Sequence, residues 1–469
     1  MSFFRYSVCL LLAVHICGAQ AGRAELFGAI EDPSGLAVSG AKVQAEDQAT
    51  TAHYAAVSNS RGEYHLIGLP PGAYVLQVEM PGFHTYRQSG IVLRAGNRAG
   101  VDIRLEVGAA TQSVDVVAAA PLLQTASAEV SENIGAKTLS TLPLDGRNFI
   151  PLVTLSPGVA LPNGQFLPRI NGSRPRTNEY LYDGISVLQP EPGQVAYYPI
   201  IDGMEEFRLN VNAYSPEYGR SNGGTVMVIG KSGGNAYHGS VFEFFRNEAL
   251  NARNLFAQPG PKPEFRRNQY GGTLGGPIQK NKTFFFTDWQ GTRLRTGVTR
   301  FSVVPTLLQR QGVFTQAIYD PATSPRTPFP ANTIPANRID QIGGQVLAHY
   351  PLPNVSGANN YVRTATEPDN QDQADFRMDR YFGERHRVFG RYTFFRDDDT
   401  PVTPLPDGSG SLTSGVIGHA ITRGDAVVGD YNWTVTPAAL NQLRFGYSRR
   451  DLNQTSLQNG GISVPGLPA

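Results

Sequence analysis

The stretch from Gly424 to Arg450 alternates with a period of two. Val427, Gly429, Tyr431, Trp433 and Val435 fall on one face of an extended chain, and Ala426, Val428, Asp430, Asn432 and Thr434 on the other. After a turn at Thr436-Pro437-Ala438-Ala439, Leu443, Phe445 and Tyr447 share one face of the returning arm, with Gln442, Arg444, Gly446, Ser448 and Arg450 opposite. Successive side chains of a strand point to opposite faces, so this pattern specifies two paired β-strands. Each arm is about 10 residues long, which is what a tilted strand needs to cross a bilayer. A half-buried sheet in water alternates in the same way, so the pattern fixes strand structure but not the solvent. Beyond the N-terminus no apolar run reaches the roughly 18 residues of a membrane-spanning helix. A membrane crossing by this chain is therefore made by strands.

Residues 1–21 read as an export signal. Arg5 supplies the positive end, Tyr6 to Ile16 the apolar stretch, and Ala19-Gln20-Ala21 a small-x-small cleavage site. Both cysteines, Cys9 and Cys17, lie within it, so the exported chain is expected to have no thiol for a disulfide or a metal. Lys and Arg number 40 against 39 Asp and Glu, which removes the basic footprint of a nucleic-acid binder. At 40% hydrophobic, with 20 Tyr and 24 Phe, the chain has enough apolar surface to fold, and 469 residues argue for several domains.

From Glu25 to Val107, short β-rich runs are separated by turn signals at Asp32-Pro33-Ser34-Gly35, Asn59-Ser60-Arg61-Gly62, Pro70-Pro71-Gly72 and Pro81-Gly82. The spacing predicts a small antiparallel sandwich. Ser39-Gly40-Ala41-Lys42-Val43, Arg61-Gly62-Glu63-Tyr64, Leu69-Pro70-Pro71-Gly72-Ala73-Tyr74 and Pro81-Gly82-Phe83 resemble the carboxypeptidase regulatory-like domain, a transthyretin-like fold. No histidine of the chain has Glu three residues later, as the zinc site of a carboxypeptidase requires. The domain is therefore expected to be a non-catalytic binding or spacer module; the resemblance implies carbohydrate binding.

The segment Ser113-Val114-Asp115-Val116-Val117-Ala118 is extended and alternating, suited to adding as a strand to a partner's sheet. It resembles a TonB box, with Val114, Asp115, Val116, Val117 and Ala118 as its residues; the alternative is the last strand of the sandwich followed by a tether. Downstream come Leu142-Pro143-Leu144-Asp145-Gly146-Arg147-Asn148-Phe149, Asn171-Gly172-Ser173-Arg174, Tyr180-Leu181-Tyr182-Asp183-Gly184, Glu217-Tyr218-Gly219-Arg220 and Asn268-Gln269-Tyr270-Gly271-Gly272. In this order they resemble the plug and first barrel strands of Oar-like TonB-dependent outer-membrane receptors. The fold expected is mainly β: an N-terminal β-sandwich (24–107), a linker (108–125), a mixed α/β plug domain (126–235) and part of a large antiparallel transmembrane β-barrel (236–469). Gly-rich turns and exposed polar residues suit a plug held by hydrogen bonds rather than by a large oily core. Arg147, Arg174 and Arg220 are candidates for plug-to-wall contacts.

Eight candidate strands follow, at 237–247, 268–278, 282–292, 297–304, 373–382, 387–396, 422–435 and 441–451. Long polar loops separate some of them, notably Ala257–Arg267, Pro305–Asp369 and Arg396–Thr422. The resemblance implies a barrel of about 22 strands, more than the residues after 236 supply, so the chain is expected to be an N-terminal fragment of a longer protein. Gly230-Lys231-Ser232-Gly233-Gly234 fits the hydrolase pattern Gly-x-Ser-x-Gly, but a strand rather than a helix is expected after it. The same residues miss a phosphate loop because residue 225 is Thr. Asp397-Asp398-Asp399 lacks calcium-loop spacing and reads as a solvated loop tip.

No enzyme activity and no cofactor is expected. The resemblance implies an outer-membrane receptor and transporter with a periplasmic N-terminal domain, coupled to a TonB-type energy-transducing complex and bathed in outer-membrane lipid. Its extracellular ligand would be a carbohydrate, peptide or iron chelate, and nucleic acid is excluded. A non-transporting surface protein for adhesion, secretion or assembly, and a soluble secreted binding protein, are the alternatives.

Overall fold

The computed structural model describes residues 22–108, 113–117, 129–162, 167–189, 193–212, 218–219, 221–253, 255, 262–410, 418–436 and 439–457. The expected export signal, Ala118 and Arg220 lie outside the described residues.

The first domain is a two-sheet sandwich. Its strands are β1 (Ala24–Glu31), β2 (Lys42–Asp47), β3 (His53–Val57), β4 (Glu63–Leu69), β5 (Gly72–Glu79), β6 (Thr85–Leu93), β7 (Arg98–Gly100), β8 (Ile103–Arg104) and β9 (Ser113–Val117). One sheet runs β4-β1-β7 with β8 also on β1; the other runs β3-β2-β5-β6-β9. Alternation makes the core: Tyr74, Leu76 and Val78 of β5 bury completely against Leu26, Ile30 and Leu66 of the facing sheet. The Asp32 carboxylate accepts the N–H groups of Ser34 (2.8 Å) and Leu36 (2.9 Å), an Asx turn that closes the loop after β1.

The sandwich is not wholly antiparallel. β7 and β8 run parallel to β1, and β9 runs parallel to β6. Both exceptions follow connections that leave one strand and join another without a hairpin, and only a hairpin forces reversal.

The middle domain carries β10 (Val130–Gly135), a helix at Ala136–Thr141, β13 (Glu179–Tyr182), β14 (Ile185–Ser186), β17 (Met204–Asn212) and β18 (Thr225–Gly230). Two small ribbons accompany them, β11 (Val159–Ala160) with β12 (Arg169–Ile170), and β15 (Leu188–Gln189) with β16 (Gln194–Val195). The sheet order is β10-β17-β18-β13-β14, with β13 parallel to β18. Contrary to expectation, the domain has a continuous apolar core: Leu139, Phe149, Val153, Tyr180, Phe207, Leu209 and Val228 are all buried in it. The short apolar runs that appear scattered in sequence are each one row of this core, with the Phe149 and Phe207 rings 5.2 Å apart.

The remaining strands form one antiparallel meander in chain order. They are β19 (His238–Asn247), β20 (Phe265–Gln279), β21 (Thr283–Ser302), β22 (Tyr361–Phe382), β23 (His386–Asp399), β24 (His419–Thr436) and β25 (Ala439–Thr455). Among the described residues the sheet is open, with β19 and β25 at its edges. Seven strands replace the eight expected, because 282–292 and 297–304 are parts of β21. That strand pairs continuously with β22 from Thr283↔Arg380 to Ser302↔Tyr361. Alternation fails over Thr292–Thr296 because, Leu294 apart, both faces there are polar, and Arg293 instead holds Asp372 through two bonds of 2.9 and 3.0 Å.

The expected loop shrinks to 303–360 and carries short helices, Leu307–Arg310 capped by Thr306 and Gln341–His349 capped by Asp340. Asp397–Asp399 are not a loop tip but the half-buried end of β23. The two faces of the meander differ as alternation requires. Leu443 and Phe445 are 67% and 66% exposed and Trp433 is 41% exposed, whereas Ala426, Val428, Asp430 and Asn432 are buried. No helix among the described residues is long and apolar enough to cross a membrane.

Candidate functional site

The inner face of the meander is polar, and the middle domain is seated on it. Tyr182-Asp183-Gly184-Ile185 closes the β13–β14 hairpin with both central residues left-handed, Asp183 at φ 49° and Gly184 at φ 79°. Asp-Gly suits this two-residue turn because both positions need positive φ. The turn delivers the Asp183 carboxylate to the sheet, where it accepts from Arg391 Nε at 2.8 Å and lies 3.6 Å from Arg377. The Gly230 N–H donates to its other oxygen at 2.9 Å.

Arg391 is enclosed. Its guanidinium carbon lies 3.4 Å from the Tyr182 ring centre, and the group also reaches Asp375 at 3.2 Å and the hydroxyl of Thr393. Arg377 holds Asp379 through two 2.9 Å bonds and donates to the Gly230 carbonyl at 3.2 Å. Burial opposes ionisation of Asp183, but the two guanidiniums and the Gly230 N–H hold its carboxyl below the ordinary carboxylate range.

A second contact is built on Leu144-Asp145-Gly146-Arg147. Arg147 pairs with Asp202 of its own domain, and its guanidinium carbon lies 4.5 and 4.3 Å from the Phe242 and Phe244 ring centres on β19. Asp145 takes Arg246 at 2.9 Å and also Arg267, while the Gly146 carbonyl accepts from Gln269 at 3.1 Å. Arg174 is exposed on a turn, its carbonyl accepting the Thr177 hydroxyl at 2.7 Å, and Arg220 lies outside the described residues. The structure thus brings Arg147 to the sheet, together with Asp145, Asp183, Arg377 and Arg391, which sequence reasoning did not single out. The available signal was an arginine on the inward parity of a strand, Arg391 between Phe389 and Thr393.

Val114, Asp115, Val116 and Val117 form most of β9 on the edge of the sandwich, with Asp115 and Val116 exposed. The sandwich meets the end of the meander that has the short connections 280–282 and 383–385. There Arg387 lies 3.5 Å from the Tyr54 ring centre, Thr51 bonds Asn281 at 2.9 Å, and the Asn235 N–H donates to the Ala49 carbonyl at 2.9 Å. A cavity of about 570 Å³ remains between the three domains, bordered by Arg23, Asp47, Asp183, Arg377, Arg387 and Arg444. The Gly230-Lys231-Ser232 run lies between strands β18 and β19, not at the head of a helix.

The middle domain also grips both backbone groups of one residue of the sandwich. Glu206 accepts the Ala95 N–H at 2.8 Å, and Arg208 donates to the Ala95 carbonyl while holding Glu129 at 2.6 Å. Burial pushes the Glu206 carboxyl up to about 7, against the pull of the Ala95 N–H, Arg94 and Arg208. The folded state therefore keeps a proton that the unfolded chain loses near its ordinary value of 4.5, so stability should fall as pH rises from there to about 7. The loss is on the order of 3 kcal/mol. Thermal unfolding scanned across this window should show the decline in the native protein, and Glu206→Gln should flatten it; an equal slope in both would refute the assignment.

The family model of the outer membrane beta barrel domain matches residues 229–468, and that of the carboxypeptidase regulatory-like domain matches residues 25–106. The chain is 30% identical over 258 residues to the TonB-dependent transporter Oar of Myxococcus xanthus, an alignment covering 52% of this chain and 24% of that protein. Among solved structures it is similar to the outer membrane transporter YddB of Escherichia coli at 15% identity and a TM-score of 0.46, over 68% of this chain and 38% of that one. It is also similar to the siderophore receptor PirA of Acinetobacter baumannii at 15% identity and a TM-score of 0.44, over 71% and 42%. The chain spans about a quarter of the length of the curated relative it matches. The barrel match extends over half of the sequence and over every strand of the long meander, and the chain belongs to the outer membrane beta barrel domain family.

Proposed function

We propose that this chain acts in a TonB-dependent outer-membrane receptor and transporter, its middle domain serving as the plug of the pore. The observation that carries the reading is the seat of Asp183 on Arg391 and Arg377. A domain ion-paired to the polar face of a sheet whose opposite face is apolar is the arrangement of a stopper in a lumen. The transport named for the relative from Myxococcus xanthus supports it.

The sandwich lies at the end of the short connections, which in outer-membrane barrels is the periplasmic end, so a periplasmic N-terminal domain is part of the proposal. Ligand is captured by the long connections at the other end. A TonB-type transducer then engages residues 114–118 and rearranges the plug. No step of this scheme makes or breaks a covalent bond.

Cells producing the protein are to be given three labelled probes in turn, a ferric chelate, an oligosaccharide and a peptide. Accumulation of at least one is expected, and collapse of the proton-motive force should abolish it. Surface binding of a probe with no energy-dependent accumulation would favour the non-transporting surface role instead.

A further inference from the structure

We propose that β9 is a strand with two alternative partners: β6 of the sandwich holds it at rest, and it must leave β6 before the transducer can bind it. The inference rests on the reading of residues 114–118 as the coupling segment and adds a lock to it.

β9 lies parallel to β6, from Thr85↔Ser113 to Ser89↔Val117, as the last strand of its sheet. Three features make this pairing easy to undo. It spans five residues, it is parallel and so slightly less stable per residue than an antiparallel ladder, and it has sheet on one side only. Gly90, at φ 78°, follows Ser89 directly, and the β5–β6 register shifts there, so the straight part of β6 ends where the pairing ends. Specificity is available as well: Arg87 and Asp115, opposite in charge and both exposed, are register partners.

The route of force explains why release matters. The sandwich is fastened to the wall by Tyr54 on Arg387 and by Thr51 on Asn281, and to the plug by the grip on Ala95. A pull on β9 while it is part of that sheet is carried into those fastenings. Once β9 is free, the same pull passes along the chain to β10, which begins at Val130, at most about 45 Å away when extended. β10 is the edge strand of the plug sheet, on β17, and Glu129 beside it holds Arg208. Peeling β10 from β17 would therefore open the plug from its edge, and β6 sets the threshold for starting.

The test is a reversible lock in the full-length protein. Arg87→Cys with Asp115→Cys places two thiols on register partners of adjacent strands, about 4.8 Å apart at Cα and within disulfide range. Residues 22–469 contain no cysteine to compete with the pair. The readout is the affinity of the detergent-purified protein for the purified periplasmic domain of a TonB-type transducer. Oxidation should weaken binding at least tenfold, reduction should restore it, and each single cysteine should show neither effect. Failure of the disulfide to form would overturn the resting pairing. A formed disulfide with unchanged affinity would overturn the exchange, since the transducer would then add to the open edge of β9. Deleting residues 113–118 in parallel separates the two layers: retained affinity there would remove the coupling role itself.

Discussion

Replacing Arg391 by Met should destabilise the protein by about 3–5 kcal/mol, the usual cost of removing one partner from a buried ion pair. The side chain is enclosed between Tyr182, Asp183 and Asp375 and joins the two carboxylates. What is lost is less the attraction than the compensation, because the two buried carboxyls must then bear their desolvation with one guanidinium fewer or take up a proton. Urea titration of the detergent-folded protein, followed by tryptophan fluorescence, measures this. Adding Asp183→Asn to Arg391→Met should recover part of the loss, so the double variant should lie well above the sum of the singles. A cost below about 1 kcal/mol for the single variant would mean that the seat is solvated and its salt bridges are of the surface kind.

Deleting residues 113–118 should abolish energy-dependent accumulation while leaving surface binding of the same probe intact. In the proposed scheme the two activities draw on different ends of the molecule: capture on the connections between β21 and β22 and between β23 and β24, coupling on a strand next to the sandwich. Binding to whole cells and accumulation with and without a protonophore separate them. Unchanged accumulation would remove this segment from the mechanism.

The strands of the meander were legible because alternation is a local property, and the turns of the sandwich because Gly, Pro, Asn and Asp act within four residues. Legibility failed where the deciding partner was remote. Asp183 and Arg391 are 208 residues apart, and an inward arginine reads the same whether it will meet water or a plug. Phe242, Phe244 and Phe245 occupy both parities of β19, so the sequence does not say which rings meet Arg147. The parallel pairings of β7 with β1 and of β9 with β6 leave no turn signal, since no hairpin makes them. The apolar core of the middle domain was missed because its rows are short and scattered, and only folding gathers them.

The outward residues of β21 change character at Trp289, which sits opposite Ala374: before it come Phe285 and Thr287, after it Arg293 and Arg295. Thirteen further residues follow to Ser302; β20 flanks β21 as far as Thr296, and residues 297–302 continue on β22 alone, a ribbon on the order of 20 Å long. The segment 303–360 is thus carried on a ribbon braced by Arg300 on the Val402 carbonyl and by Arg363 on the Thr403 carbonyl, so that a displacement of that segment is passed to two connections of the meander at once.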